Sequence, residues 1–197
     1  MKHGLRFIKM QMLLLLFIVV FGCLLSPALW GSAVNKYDKE IEHAWRIYMP
    51  EYSPQWGWAQ YWQESRLNEK AVSPANAIGV AQTLEGTFGD CKKAGFVPYG
   101  ANPRIARWSI LCGAGYLGKQ IDFWKSKRPA NDRLFLAFCN YNAGGGNCLK
   151  AQKLCNGKLL YSEIIKCLPL VTGRHSKETI DYIDYIIKHR RDRYGEL

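Results

Sequence analysis

Glu64 is the acidic side chain whose surroundings best suit proton transfer. It closes the stretch Gln55-Trp56-Gly57-Trp58-Ala59-Gln60-Tyr61-Trp62-Gln63, which supplies four aromatic rings and no cation. A carboxyl held against aromatic surface has its charged form disfavoured, so its pKa rises and it keeps a proton at neutral pH. Such an acid can deliver the proton to a leaving oxygen, and aromatic faces offer flat platforms for sugar rings. Other chemistries lack their residues: there is no GxSxG nucleophile elbow, no HExxH zinc pair and no phosphate loop ending in Lys-Ser/Thr. Gly144-Gly145-Gly146 follows a helical stretch without that sequel and reads as a turn. A carboxylate is therefore the candidate catalyst, with an ordinary exposed helix-end glutamate as the competing reading from composition alone.

The elements that must position Glu64 are mostly helical. Residues 38–49 form a helix that stops before Pro50. Ser53-Pro54 pairs an N-cap with a first-position proline and starts a helix running to Ser65. Residues 66–82, with Asn68, Ser73-Pro74-Ala75-Asn76 and Gly79, hold at most a small hairpin. Thr83 caps a helix to Ala94, terminated by Gly95. Asn102-Pro103 opens the longest helix, whose Ile110, Ala114, Leu117, Ile121 and Trp124 share one apolar face. A helix over 132–140 follows, and Ser176 caps a final one through Arg191. The class is α+β, predominantly α, with a minor β-hairpin and no βαβ alternation.

The chain has 197 residues, 27 basic and 16 acidic, and seven cysteines. That length suits one domain, and 48% hydrophobic against 22% charged residues excludes intrinsic disorder. Residues 1–33 stand apart. Lys2, Arg6 and Lys9 precede the apolar run Met12–Leu25, and Gly31-Ser32-Ala33 gives a small-residue exit. This is the pattern of a cleaved secretory signal, with an uncleaved anchor as the alternative. Without Cys23, six cysteines remain at 91, 112, 139, 148, 155 and 167, none in CxxC spacing, so disulfides formed after export are favoured over metal. Of the fifteen pairings open to six cysteines, Cys148–Cys155 is the first expectation, closing a small loop. Residues 34–197 keep 24 bases against 16 acids, and this excess fits an anionic partner such as a carboxylate-bearing cell wall. Lys188–Arg193 (KHRRDR) reads as a solvated last helical turn suited to the helix dipole, with an anion site as the alternative.

Several stretches occur together in order: Glu64-Ser65-Arg66-Leu67-Asn68, Ala71-Val72-Ser73-Pro74, Ala77-Ile78-Gly79-Val80-Ala81-Gln82, Tyr141-Asn142-Ala143-Gly144 and Glu178-Thr179-Ile180-Asp181-Tyr182-Ile183. With Cys112–Leu117, which looks like the family's helix before the YNAG motif, they make residues 45–194 resemble the catalytic domain of the soluble lytic transglycosylases, relatives of goose-type lysozyme. The resemblance implies a lysozyme-like fold that cuts the MurNAc–GlcNAc linkage of peptidoglycan glycan strands, with no cofactor and no metal. It implies Glu64 as the single catalytic glutamate with Ser65 as its usual neighbour. It also implies substrate contacts from Ser73 and Gln82, and from Tyr141 and Asn142 facing the cleft with Tyr182 nearby. Ala81 departs from the family's usual Met, Thr83–Thr87 lacks its customary proline, and the six cysteines are not a general family feature.

Hydrolysing glycosidases normally pair two carboxylates across the scissile bond. With one, the expected course is protonation of the glycosidic oxygen by Glu64, support of the anomeric carbon by the N-acetyl group, and return of a proton to Glu64 from the sugar's own 6-hydroxyl. The product is a 1,6-anhydro end. Two alternatives stand beside it: a hydrolytic muramidase using Glu85 or Asp90 as second carboxylate, and a non-enzymatic wall-binding module of an envelope assembly. Export places any of them in the periplasm or envelope, touching membrane only through an uncleaved N-terminal segment. An envelope-spanning secretion or conjugation machine is a compatible partner; dispersed charge argues against nucleic acid.

Overall fold

In the helix Asp38–Tyr48 (α1), Ile41, Ala44 and Trp45 recur at helical spacing and face inward, while Asp38 and Glu40 occupy the first turn and Arg46 the last. These coordinates come from a computed structural model, which describes residues 35–196. The expected signal or anchor over 1–33, with Cys23, lies outside the described residues.

The second helix, Gln55–Ser65 (α2), buries every residue from Trp56 to Tyr61. A helix apolar on so many sides must be enclosed, and α2 packs against both α1 and the C-terminal helix Ser176–Tyr194 (α9). Between them in the chain run Glu85–Lys93 (α3), Ala106–Phe123 (α4), Ala130–Ala143 (α5) and Gly145–Leu154 (α6). The short helices Tyr161–Ile164 (α7) and Pro169–Thr172 (α8) complete the set, each followed by a 3-10 turn. Trp45, Tyr61, Ile110, Leu117, Leu134, Phe138, Ile183 and Ile186 are fully buried and knit α1, α2, α4, α5 and α9 into one core. A smaller cluster of Phe88, Cys91, Val97, Ala101 and Cys112 seats α3 on α4.

Several sequence expectations need correction. The hairpin over 66–82 shrinks to two isolated antiparallel bridges, Val72 with Ile78 and Ile78 with Thr83. The segment is spent on turns: Ser73 Oγ accepts the Ala77 N–H at 3.0 Å, and Asn76 takes a positive φ of 62°. Thr83 caps nothing, because α3 starts two residues later and the Thr83 hydroxyl is buried without a hydrogen-bond partner among the described residues. Asn102 holds a turn rather than a helix start, its side chain accepting the Arg104 N–H at 2.9 Å, so α4 begins at Ala106. At 19 residues α9 is longer than the 18-residue α4. Ser176 is the first residue of α9, and its hydroxyl donates back to the Gly173 carbonyl at 2.7 Å instead of capping.

The pairing Cys148–Cys155 does not form. Cys148 lies within α6 and Cys155 caps its end, seven residues on. Seven helical residues rise about 10 Å, beyond the reach of a disulfide. The bonds are instead Cys91–Cys112 (α3 to α4), Cys139–Cys148 (α5 to α6) and Cys155–Cys167 (the end of α6 to the turn after α7). The Lys188–Arg193 cluster is largely occupied internally. Lys188 pairs with Asp192, Arg190 donates to Gln55 and to the Gly195 carbonyl, and Arg193 pairs with Asp38 at 2.7 Å.

Candidate active site

Glu64 sits in the last turn of α2, one residue ahead of two left-handed residues, Arg66 (φ 55°) and Leu67 (φ 58°). Their amides close the helix on the Trp62 and Tyr61 carbonyls. Two consecutive non-glycine residues in this region store conformational strain, a feature that clusters at functional sites. Arg66 turns away from the acid: its guanidinium lies 5.5 Å from the Trp62 ring centroid and 3.1 Å from His189 Nε2.

The Tyr182 hydroxyl donates to Glu64 Oε1 at 2.5 Å and accepts from Gln60 Nε2 at 3.3 Å. Burial pushes the Glu64 carboxyl from an ordinary 4.5 up to about 8, and the Tyr182 hydrogen bond opposes that rise. Tyr182 is raised well above the usual phenol range by burial and by the neighbouring Glu64 charge. It therefore stays a proton donor throughout the range in which Glu64 titrates.

A groove of 350 Å³ opens here, lined by Gln63, Glu64, Asn142, Glu178, Asp181, Tyr182 and Tyr185. Asn142 is exposed at its rim, its Oδ1 accepting the Thr179 hydroxyl at 2.7 Å. Of the residues selected from sequence, Glu64, Asn142 and Tyr182 thus meet in one place. The others hold the loop beside it. Ser65 donates to the Val80 carbonyl at 2.8 Å, Tyr141 donates to the Ala81 carbonyl at 2.8 Å, and Gln82 donates to the Gly79 carbonyl at 2.9 Å. Ser73 accepts within its own turn and keeps its O–H proton for another partner.

Two glycines permit this clamp. A Cβ on Gly113 of α4 would stand 2.6 Å from the Ala81 methyl and 3.0 Å from the Tyr61 hydroxyl. At Gly79, φ is +79° and a Cβ would meet the Pro103 carbonyl oxygen at 2.2 Å.

Neither carboxylate considered as a second catalytic group reaches Glu64's groove. Glu85 lines a different cavity, and Asp90 is exposed and paired with Lys93 at 3.2 Å. Glu178 and Asp181 of α9 do line the groove, with Asp181 bound to Lys177 at 2.6 Å. Both belong to the Glu178–Ile183 stretch, yet neither was among the candidate acids. The signal was available, since 178, 181, 182 and 185 fall at helical spacing on one face. Among the described residues no group of three or more His, Cys, Asp or Glu is placed to hold a metal.

The pattern of the transglycosylase SLT domain matches residues 47–161, more than half the chain. The chain belongs to the transglycosylase SLT domain family. It is 24% identical over 181 residues to the membrane-bound lytic murein transglycosylase F of Photobacterium profundum, covering 84% of this chain and 32% of that protein. It is 27% identical over 146 residues to the protein of that name from Shewanella loihica, covering 66% of this chain and 29% of that one. The chain thus spans about a third of the length of the curated relatives it matches.

Two solved structures share the family fold. One is an inactive glutamate-to-glutamine mutant of lytic transglycosylase Slt from Pseudomonas aeruginosa, with TM-score 0.65 and 18% identity over 82% of this chain and 25% of that one. The other is the soluble lytic transglycosylase Slt70 of Escherichia coli, with TM-score 0.61 and 21% identity over 78% and 24%. The predominantly α, lysozyme-like fold expected from the sequence is borne out, its β part reduced to the two bridges.

Proposed function

We propose that the chain is a peptidoglycan lytic transglycosylase cutting the MurNAc–GlcNAc β-1,4 bond, with Glu64 as its single general acid and base. The observation that carries this reading is the Glu64 carboxyl, half-buried on an open groove, held at about 8 and bonded to Tyr182. At neutral pH the acid form predominates, so Glu64 can protonate the glycosidic oxygen as that bond breaks. The resulting carboxylate retains the Tyr182 hydrogen bond, which favours its charged form at the moment it is needed. It then removes the proton of the sugar's 6-hydroxyl as that oxygen bonds to the anomeric carbon. The proton returns to Glu64, no water is consumed, and a 1,6-anhydro end is left. Asn142 and the exposed Tyr185 line the same groove and are suited to holding the glycan by hydrogen bond and ring contact. Ser65, Tyr141 and Gln82 act in this scheme by fixing the 79–82 loop, and Ser73 by its remaining hydroxyl proton.

Digestion of purified sacculi followed by mass spectrometry tests the proposal. Muropeptides should be lighter by one water than hydrolytic products, and Glu64→Gln should lower the rate by about 10²–10⁴-fold. Hydrated reducing ends alone would overturn it. They would instead favour hydrolysis with Glu178 or Asp181 as second carboxylate, the two acids that share Glu64's groove. A wall-binding module without activity would leave sacculi intact. An envelope location accords with the curated relatives' description as membrane-bound; no helix among the described residues is long and apolar enough to cross a membrane. Residues 1–33 are proposed as the export signal or anchor. Association with a secretion or conjugation machine is compatible with such an enzyme and is proposed no further.

A further inference from the structure

Gln60 lies four residues before Glu64 on α2, so the two share a helix face, and both reach Tyr182 of α9. It is fully buried, at 0% exposure, in a helix whose other enclosed residues are Trp56, Gly57, Trp58, Ala59 and Tyr61. Its Nε2 donates to the Tyr182 oxygen at 3.3 Å, while its Oε1 is buried with no hydrogen-bond partner among the described residues. A buried amide left half satisfied costs stability that an apolar side chain of similar size would not. Packing alone therefore gives no reason for a glutamine here.

The direction of the bonds gives one. A phenol has a single proton to donate, and Tyr182 donates it to Glu64 Oε1 at 2.5 Å. With Nε2 of Gln60 donating into the phenol oxygen, a reverse bond from a Glu64 O–H would meet an acceptor already engaged. Oε1 is thus held as an acceptor whether Glu64 is neutral or charged. The other oxygen, Oε2, makes no hydrogen bond among the described residues and is not buried, on a residue that lines the groove.

We propose that Gln60 is a positioning residue for Glu64: by donating to Tyr182 it commits the phenol proton to Oε1 and leaves Oε2 to carry the transferable proton. This rests on the transglycosylase reading above. Oε2 delivers its proton to the glycosidic oxygen, and the same atom accepts one from the 6-hydroxyl. Hydrogen bonds in series strengthen one another by about 10–30%, so Gln60 also makes Tyr182 a better donor to the carboxylate formed in between. The other titratable groups nearby have partners or places apart from the amide. Tyr61 of α2 donates to the Ile110 carbonyl, and Tyr141 of α5 donates to the Ala81 carbonyl. On α9, Glu178, Asp181 and Tyr185 line the groove, and His189 bonds to Gln63 and Arg66 of α2. The buried residues of α1 are the uncharged Ile41, Ala44 and Trp45. Removing the amide therefore acts on Glu64 through Tyr182.

Three measurements on the full chain test this. Gln60→Leu should lower kcat about 3–10-fold at unchanged KM, the size of one hydrogen bond. The alkaline limb of its pH–rate profile should move up by about half a pH unit, because the ionised carboxyl loses support; an unmoved limb overturns the assignment. In the Tyr182→Phe background, Gln60→Leu should change neither kcat nor the limb further, since the phenol through which it acts is gone. Losses that multiply independently overturn the coupling. Gln60→Met keeps the length without the donor and is read in the same way if Gln60→Leu does not fold. Carbon NMR of the glutamate carboxyls, with Glu64→Gln assigning the resonance, follows Glu64 without substrate. Its midpoint should rise by the same half unit in the Gln60 variant, about as the kinetic limb does, and an equal midpoint overturns the inference. Should the wild-type chain yield no anhydro ends, the transglycosylase reading fails alone, and the NMR titration still decides whether Gln60 governs the Glu64–Tyr182 pair.

Discussion

A carboxyl that releases its proton near pH 8 makes an acid usable at neutrality, and its partner decides how well it works as a base. Tyr182 supplies the hydrogen bond that lowers Glu64 from where burial alone would put it. Tyr182→Phe should therefore shift the alkaline limb of the pH–rate profile to higher pH. It should also slow turnover about 10–100-fold, since a hydrogen bond to a charged group contributes about 1.5–3 kcal/mol. A profile with an unmoved limb would separate Tyr182 from the proton transfer. At this scale the sequence was informative about Glu64, because the cation-free aromatic run before it bears on its pKa, whereas the turning away of Arg66, two residues on, was not readable from spacing. It was less informative about Ser65, Tyr141 and Gln82, whose polar atoms reach backbone carbonyls of the 79–82 loop. Such partners, 15 and 60 positions away for Ser65 and Tyr141, leave no trace in local spacing.

Among the elements, the contact of α4 with the 79–82 loop is the tightest near the site. Gly113→Val would drive side-chain atoms into Ala81 and Tyr61, both packed and neither able to swing away. Overpacking of this kind destabilises by about 1–3 kcal/mol. The variant should melt earlier and lose activity at temperatures where it is still folded, as the Tyr141–Ala81 bond loosens; thermal denaturation alongside a sacculus assay distinguishes the two. The long helices α1, α2, α4, α5 and α9 were legible from apolar spacing, capping and breaker residues. The stretch from 145 to 175 was not. It contains helices of 4 and 10 residues joined by 3-10 turns, too short to show periodicity. Its glycines open α6 where a loop was expected, because Cys139–Cys148 ties that helix to α5.

Across the whole molecule, α9 is the strut that relates groove to scaffold. Its first half presents Glu178, Asp181 and Tyr182 to the groove, while Arg193 near its end joins Asp38 at the start of α1. The titration of Glu64 also belongs to the molecule as a whole, because a raised folded-state pKa means that the native chain holds a proton the unfolded chain releases. That stabilisation is complete below about 4.5 and is lost as pH rises through about 8. Glu64→Gln carries no such proton, so its melting temperature should gain on the wild type between about pH 5 and 9; parallel curves would mean that Glu64 is not perturbed. None of this global closure was readable from the C-terminal cluster, whose charges looked solvated until their partners on α1 and α2 were known. The three disulfides reach α3 to α7 and leave α2 and α9 uncrosslinked. Mild reductant should accordingly leave initial rates intact while hastening thermal inactivation, so the chain's oxidation governs its endurance rather than its chemistry.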